Sequence, residues 1–145
     1  MKVEHTKQTK QQEQRLLALW AAGCAEHVLP LFEQNHPQDD RPRKAIEAGR
    51  AWVRGEMTCG AARAAAIATH AAARTAEEGA ARAAARAAGH AAGTAHMAGH
   101  ARHAAAYAVA ATAAAGTAAA TERAWQRRRL PKHLRPAAFP PASID

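Results

Sequence analysis

Alanine dominates the second half of this chain, where it fills 34 of the 60 residues from 61 to 120. No proline occurs between Lys44 and Leu130, although three prolines precede this stretch and four follow it. Proline interrupts helix hydrogen bonding, and alanine has the highest helix propensity of the common residues. The pattern therefore predicts a succession of helices whose local structure is strongly favoured but whose side chains offer little apolar surface to bury.

The rest of the composition leaves two interpretations open at this point. A chain of 145 residues suits a single domain, but Leu, Ile, Val and Phe together supply only 16 of them and the net charge is +8. So few large apolar residues at such a charge are typical of disorder, and closely packed alanine helices are the alternative. The scarcity of β-branched and aromatic residues excludes a β fold.

The N-terminal sequence and the mean hydropathy of −0.40 argue against membrane insertion. The first residues are charged and polar, with no apolar segment of the kind found in a secretory signal. Every long apolar stretch of the sequence is interrupted by charged or polar residues, so no membrane span is predicted. A cytoplasmic location is therefore expected.

Large apolar residues are concentrated near the N-terminus. From Glu13 to Glu33 they recur at steps of three and four residues, which places one broad apolar face on a helix. Pro30, near the end of this stretch, is expected to kink the helix or to begin a separate turn. This amphipathic pattern favours a folded helical domain over disorder. The apolar face consists of Leu16, Leu17, Trp20, Ala21, Cys24, Val28, Leu31 and Phe32.

A second helix is predicted after Asp39-Asp40-Arg41-Pro42, because an acidic cap followed by proline suits a first helical turn. Gly55 is expected to end it. Thr58 then caps a third helix, which reaches about Arg74 and carries Ile67 on its inner face. The inward residues predicted for the second helix are Ala45, Ile46, Gly49, Trp52 and Val53.

Further caps and glycines divide the alanine-rich half. Thr75-Ala76-Glu77-Glu78 has the form of a capping box, which predicts the start of a fourth helix. Glycines predict a break near residues 93–99, where Thr94 is a candidate cap. A fifth helix is expected to end at Gly116, and a sixth to run from Thr117 to Arg129.

The predicted fold is all-α, a compact bundle of about five or six Ala-rich helices. Residues 1–12 form a polar N-terminal segment, residues 13–129 a single helical domain, and residues 130–145 a Pro-rich basic tail that is expected to be irregular. Weak internal burial leaves a homodimer open. The residues on which the core is expected to depend are Trp20, Phe32, Ile46 and Trp52.

Histidines are the first candidate for chemistry. His96, His100, His103 and Tyr107 share one face if residues 96–107 form one helix. Three imidazoles on one stripe can bind zinc or nickel, but no Asp or Glu occurs between Glu78 and Glu122 to orient such ligands. The sequence therefore favours a helix–helix contact or a solvated stripe, and we predict no metal and no cofactor. His70 and His90 are each interpreted as separate interface histidines.

No enzyme signature occurs in the sequence. It contains no glycine-rich phosphate loop, nucleophile elbow or zinc-protease helix, and no pair of carboxylates among apolar residues. Cys24 and Cys59 are too far apart to indicate a zinc site or a disulfide framework, and both are interpreted as small buried apolar residues. No catalytic residue is therefore predicted.

Basic residues cluster towards the C-terminus, where they suit the end of the last helix. Such a patch can hold nucleic acid through phosphate contacts, although no groove-reading motif or stacking platform accompanies it. A basic nucleic-acid-associated helical protein is therefore the alternative function. The cluster consists of Arg123, Arg127, Arg128, Arg129, Lys132 and Arg135.

Three strings carry a resemblance to a known family. They are RLLALWAAGCAEHVLPLFE at 15–33, DDRPRKAIEAGRAWVRGE at 39–56 and RAAGHAAGTAHMAGHARHAAAYA at 86–108. Together they resemble the bacterial immunity proteins of the immunity-five-like group. The resemblance implies a compact all-α protein that is not an enzyme and that neutralises a toxin made by the same bacterium, in a polymorphic-toxin system. A basic inhibitor of this kind would suit an acidic toxin surface.

The turn before the second helix supplies the candidate partner-binding residues. Arg41, Arg43 and Glu47 can form a salt-bridged turn that fastens the second helix to the first, or an exposed site for a partner. Arginine makes bidentate contacts with carboxylates in either case. Both interpretations stay open from the sequence.

Overall fold

The structure, a computed structural model, describes the backbone of residues 2–140 and the side chains of residues 9–140. Over these residues it is all-helical and contains no strand, which confirms the predicted class. The predicted count of five or six helices is slightly low, because it omits short helices such as α2 and α8. The helices are α1 (Lys2–Val28), α2 (Pro30–Glu33), α3 (Arg41–Val53), α4 (Cys59–Thr75), α5 (Ala80–Gly93), α6 (His100–Ala114), α7 (Ala119–Arg128) and α8 (Arg135–Ala138), with a 3₁₀ turn at Lys132–Leu134.

Helix α1 starts at Lys2, eleven residues before the predicted start at Glu13, and ends at Val28. Pro30 then opens the separate helix α2, because proline is tolerated in a first turn but not in a helix interior. Among the described residues, the segment Thr9–Glu33 is long and apolar enough by length and composition to cross a membrane. However, 56% of its most apolar window is buried inside the fold, as in the core helix of a soluble protein.

Three predicted helix boundaries are confirmed in detail. Thr58 caps α4, since its side-chain oxygen accepts a hydrogen bond from the backbone N–H of Ala61 at 3.1 Å. Gly55 and Gly116 follow α3 and α6 with φ of +77° and +81°, a conformation that side chains disfavour. The ends of these two helices can therefore be predicted from the sequence.

The predicted capping box at Thr75–Glu78 is wrong. The Thr75 hydroxyl donates backward to the carbonyl of Ala72, and α5 begins only at Ala80 after Gly79, whose φ is +115°. The end of α4 is instead covered by Arg82, whose guanidinium donates to the carbonyls of Ala73 and Ala76. A side chain from the next helix thus provides hydrogen bonds to the carbonyls at the C-terminal end of α4.

Thr94 was predicted as a candidate cap for the helix that follows it, and this prediction is wrong. It is fully buried at the C-terminal end of α5, and its hydroxyl donates to the His90 carbonyl at 3.0 Å. The break itself lies where it was predicted, because α5 ends at Gly93 and α6 begins at His100. Threonine in a last helical turn can bond backward to the preceding turn, which removes it from the role of an N-cap.

Helix α5 lies at the centre of the bundle. It packs most extensively against α4 and α6, and α1, α2 and α3 also contact it. The nine buried residues of this helix are all alanine or glycine: Ala81, Ala84, Ala85, Ala87, Ala88, Gly89, Ala91, Ala92 and Gly93. Small side chains allow neighbouring helices to approach closely on several sides, so the central element of the fold has almost no bulk of its own.

Large buried side chains come mainly from the N-terminal helices and the C-terminal segment. Trp20, Leu29, Phe32 and Ile46 are each at most 6% exposed, as their periodicity predicted for Trp20, Phe32 and Ile46. Trp52 is only half-buried. The prediction for Ile67 is wrong, because it is 60% exposed. The inner face of α4 holds Ala62, Ala66, Thr69, Ala72 and Ala73, and helices packed through such residues leave no room for isoleucine.

Helix α7 and the segment after it close the bundle against α1. The Trp20 indole N–H donates to the Gln126 carbonyl at 2.8 Å, and the Gln126 side chain donates to the Ala105 carbonyl at 3.0 Å. Leu130 and Leu134 are buried, and Phe139 packs edge-on against Trp20 at 5.6 Å between ring centroids. Residues 130–140, expected to be irregular, therefore contain ordered turns that pack on the core.

The two cysteines differ in their surroundings. Cys24 is buried in the core, as predicted, and burial raises the pKa of its thiol well above the usual range. Cys59 is only half-buried at the start of α4, where its thiol lies 3.4 Å from the Ala95 carbonyl oxygen. Only Cys24 therefore behaves as the small buried residue that the sequence predicted.

Candidate functional site: a histidine face across three helices

The turn that carries the predicted partner-binding residues is held together by its own ion pairs. The Arg41 guanidinium binds both carboxylate oxygens of Asp39, at 2.9 and 2.7 Å, and this contact holds the pKa of Asp39 below its usual range. Arg43 binds Glu33 in the same bidentate way and joins α3 to α2. Glu47 is exposed. The geometry fits the salt-bridged turn, and a partner role for these residues stays a prediction.

Residues 96–107 do not form one helix, which was the condition for the four-residue stripe, because α6 begins at His100. His96 lies in the preceding loop and is exposed. His100, His103 and Tyr107 do share one face of α6, at the three- and four-residue steps that were predicted. The structure therefore keeps three of the four predicted members of the stripe.

Two histidines from other helices complete this stripe. The ring of His90, on α5, stacks on that of Tyr107 with 5.3 Å between centroids and an interplanar angle of 11°. Its Nδ1 lies 3.0 Å from Nδ1 of His100, and its ring centroid lies 5.4 Å from that of His103. His70, on α4, meets His90 edge-on at 4.9 Å. Four imidazoles and a phenol thus form one contiguous row over α4, α5 and α6.

Arg86 extends the row at the α4 side, where its Nη1 lies 2.9 Å from Nδ1 of His70. Because arginine can only donate, Nδ1 of His70 accepts this hydrogen bond and the imidazole proton resides on Nε2. One of the facing Nδ1 atoms of His90 and His100 must likewise carry the proton of their hydrogen bond. We call this surface the histidine face; it consists of His70, Arg86, His90, His100, His103 and Tyr107.

Glycines on α5 make room for these rings. A Cβ atom at Gly89 would lie only 2.6 to 2.9 Å from three atoms of the His70 imidazole. A Cβ atom at Gly93 would lie 3.1 Å from the ring of His100. Glycine costs about 1 kcal/mol relative to alanine inside a helix. These two positions in an otherwise alanine-rich helix are therefore explained by the close approach of the two imidazoles.

Burial favours the uncharged form of His70, His90 and His100. It lowers the pKa of His70 to about 4, with Arg86 as the next cause, and the pKa of His90 to about 3, with His70 as the next cause. The pKa of His100 is also lowered, mainly by burial. These three imidazoles therefore present hydrogen-bonding edges and flat apolar faces, beside the guanidinium charge of Arg86.

The arrangement does not have the form of a metal centre. Within the described part of the chain, no group of three or more His, Cys, Asp or Glu side chains is placed to hold a metal ion. The close pair of nitrogens on His90 and His100 is explained by a hydrogen bond between them. What the surface offers chemically is a set of stacked rings with fixed positions, bordered by guanidinium groups.

A family model supplies the identification. The model described as Imm-5 like putative immunity protein matches residues 7–133. The chain belongs to this family. No curated protein and no solved structure matches it. The family assignment confirms the resemblance seen in the sequence.

In this immunity-family chain, the matched residues include both candidate surfaces. The Arg41–Glu47 turn and the complete histidine face lie inside residues 7–133, whereas α8 lies beyond them. The sequence found half of the histidine face, from the spacing along α6. His70 and His90 do lie between helices, as interface histidines, but the sequence did not show that they and Arg86 join the stripe on α6.

The basic cluster near the C-terminus is partly used in packing. The Arg127 guanidinium lies 5.3 Å from the centroid of the Phe139 ring, and that of Arg129 lies 4.3 Å from the ring of Trp125. Arg135 donates to the carbonyls of Arg127 and Leu130. These contacts stabilise the C-terminal turns. The remaining cations of the cluster, Arg123, Arg128 and Lys132, are exposed.

Proposed function

We propose that this chain is an immunity protein that binds a cognate bacterial toxin one-to-one and blocks it, without a cofactor and without catalysis. The observation that carries the proposal is the family match over residues 7–133, which includes α2 to α7 and most of α1. We place this activity in the cytoplasm, where a toxin made by the same cell would have to be neutralised.

The fold supports a binding role in physical terms. Association costs less when the binding surface is already ordered, because fewer side chains lose freedom. The rings of the histidine face are held by mutual stacking, by hydrogen bonds and by the close-packed helices below them. A surface of this kind can be occluded by a partner with little rearrangement of the bundle.

The test is to co-express the chain with the toxin encoded next to its gene. We expect growth to be restored, and a complex of one immunity chain per toxin by size-exclusion chromatography with light scattering. Protection should saturate at equimolar expression, because a stoichiometric inhibitor is consumed by binding whereas an enzyme would protect at lower amounts. Full toxicity with no complex would refute the proposal.

Exposed cations favour a second candidate function, a basic nucleic-acid-associated protein. Arg123, Arg128 and Lys132 lie near one another in sequence on an exposed surface of a chain with net charge +8. Phosphate contacts of this kind release counterions, so affinity for duplex DNA or RNA should fall steeply as salt rises. Fluorescence anisotropy over a salt series measures this. Binding that is absent, or that does not respond to salt, would remove this candidate.

A further inference from the structure

The arginines around the histidine face differ from those on and directly after α3 in how their charge is balanced. Arg41, Arg43, Arg50 and Arg54 each bind a carboxylate of this chain. None of the ion pairs among the described side chains involves Arg86, or Arg74 and Arg63, which lie one turn after and two turns before His70 on α4. The guanidinium groups at the histidine face are therefore available to a partner, as are those of Arg123 and Arg128 in the C-terminal cluster.

Acidic residues are missing from the helices that form this face. No Asp or Glu occurs from residue 79 to residue 121, which includes all of α5 and α6. Helix α4 also carries no Asp or Glu. The first carboxylates after it are those of Glu77 and Glu78, and Glu78 lies 3.4 Å from Arg82. Because Arg86 uses one N–H group on His70, its other donors can form a bidentate contact with a carboxylate.

Apolar side chains accompany these charges. Tyr107 is 37% exposed at one end of the face, with its ring already stacked on His90. Ile67 is 60% exposed and lies one helical turn from His70 on α4. Aromatic residues and arginine are enriched in the cores of protein–protein interfaces, and an ordered tyrosine loses little freedom on binding.

We infer that the histidine face, with Arg63 and Arg74 beside it, is the surface that binds the toxin, and that it contacts a carboxylate-rich patch on that protein with an apolar residue packed on Tyr107. This inference rests on the proposed function and adds to it the location of the interface and the chemistry of the partner. It places the interface on α4 to α6 and not on the turn at Arg41 and Arg43. In that turn, a partner would have to displace carboxylates of this chain.

The experiment measures affinity between the purified full-length chain and the toxin encoded next to its gene. We expect the double variant Arg63→Glu/Arg74→Glu to weaken binding about tenfold or more, chiefly through slower association and a smaller response to salt. Tyr107→Ala should weaken it about 30-fold, as expected for an aromatic anchor, chiefly through faster dissociation. Ile67→Ala provides a second apolar test at a position that packs little in the free protein.

The matched control is Arg128→Glu/Lys132→Glu, which changes the net charge equally on another surface. Its affinity for the toxin should stay close to that of the wild-type chain, and circular dichroism melts should show that all variants fold. A wild-type complex weakened only by the control would overturn the inference and leave the proposed function intact. No wild-type complex would overturn both.

Other occupants of the face give different results. A second copy of this chain would appear as a dimer that Tyr107→Ala converts to a monomer, with toxin affinity unchanged. A polynucleotide would appear as DNA or RNA binding that Arg63→Glu/Arg74→Glu removes, again with toxin affinity unchanged. Either result would overturn the inference.

Discussion

Helices α1 to α3 bury Trp20, Leu29, Phe32 and Ile46, whereas α4 to α6 bury chiefly alanine and glycine. The first region is stabilised by the large apolar area that each side chain removes from water. The second has little such area per residue and depends on the close approach of its helices. That close approach also allows imidazoles from three helices to meet. The region with the smallest buried side chains therefore carries the histidine face.

The largest effect should come from removing bulk in the first region. Phe32 is completely buried and stacks on His36, so Phe32→Ala leaves a cavity that the surrounding helices can only partly fill. We expect a loss of about 3–5 kcal/mol in the free energy of unfolding. Urea denaturation followed by circular dichroism measures it. A loss below about 1 kcal/mol would show that the large side chains do not dominate stability.

The opposite change tests the second region. Ala88 is completely buried on the central helix, so Ala88→Leu forces neighbouring helices apart instead of leaving a cavity. We expect it to reduce the free energy of unfolding by about 1–3 kcal/mol. Ala106→Leu, on the exposed side of α6, is the control and should change stability little. Equal stability of Ala88→Leu and the wild-type chain would mean that α5 is not closely packed.

Two glycines separate the helical and tertiary roles of this residue type. Gly49→Ala places its Cβ 3.5 Å from the Ala91 carbonyl oxygen, an ordinary contact, and should stabilise the protein by about 0.5–1 kcal/mol through helix propensity. Gly89→Ala gains the same propensity but must displace the His70 ring, so the free energy of unfolding of this variant should be lower than that of Gly49→Ala.

The displaced ring gives an independent measurement. In Gly89→Ala the His70 imidazole should become more exposed, and its pKa should rise from about 4 towards the ordinary value for histidine. NMR titration of the imidazole resonances follows this shift, and Gly49→Ala should leave it unchanged. An unaltered His70 in Gly89→Ala would contradict the proposed role of that glycine.

A pH dependence of stability between pH 7 and pH 5 is expected from the histidine face of the second region. His70 and His90 have folded-state pKa values of about 4 and about 3, below those of the unfolded chain. As pH falls below about 6.5, the unfolded state takes up protons that the folded state does not, so stability should fall. Thermal melts between pH 7 and pH 5 measure the decline before most carboxylates titrate.

Substitution assigns this pH dependence to the histidine face. His90→Gln keeps a hydrogen-bonding group without a titrating one, so the melting temperature of this variant should change less between pH 7 and pH 5. His133→Gln, at an exposed position outside the face, should behave as the wild-type chain does. The same slope in all three proteins would show that the imidazoles of the face do not control acid stability.

Local signals in the sequence were reliable where one residue determines its own conformation. Pro30, Thr58, Gly55 and Gly116 mark helix ends as predicted, because each acts through its own φ angle or through a hydrogen bond within one turn. Thr75 failed as a cap, since it is the last residue of α4 and its hydroxyl donates back to the Ala72 carbonyl. The contact of Arg82 with the last carbonyls of α4, in turn, depends on how α4 and α5 are placed.

The candidate site shows the same limit. Spacing alone grouped His100, His103 and Tyr107, because residues three and four apart share a helix face. The positions of His70 and His90 in the same row depend on the rotation and separation of α4, α5 and α6. Alanine is compatible with many such arrangements, since it packs almost equally well on every side of a helix.

The sequence by itself determined that the chain is helical, where most of its helices end, most of the N-terminal residues that form the core, and which family it resembles. Helix propensity, proline, glycine and apolar periodicity act over a few residues, so they can be interpreted without the fold. Only the tertiary structure decided that Ile67 faces outward, that Arg86 and two distant histidines join the stripe on α6, and which arginines lack a carboxylate partner. These features arise from helices that approach closely enough for a glycine in one to accommodate an imidazole from another.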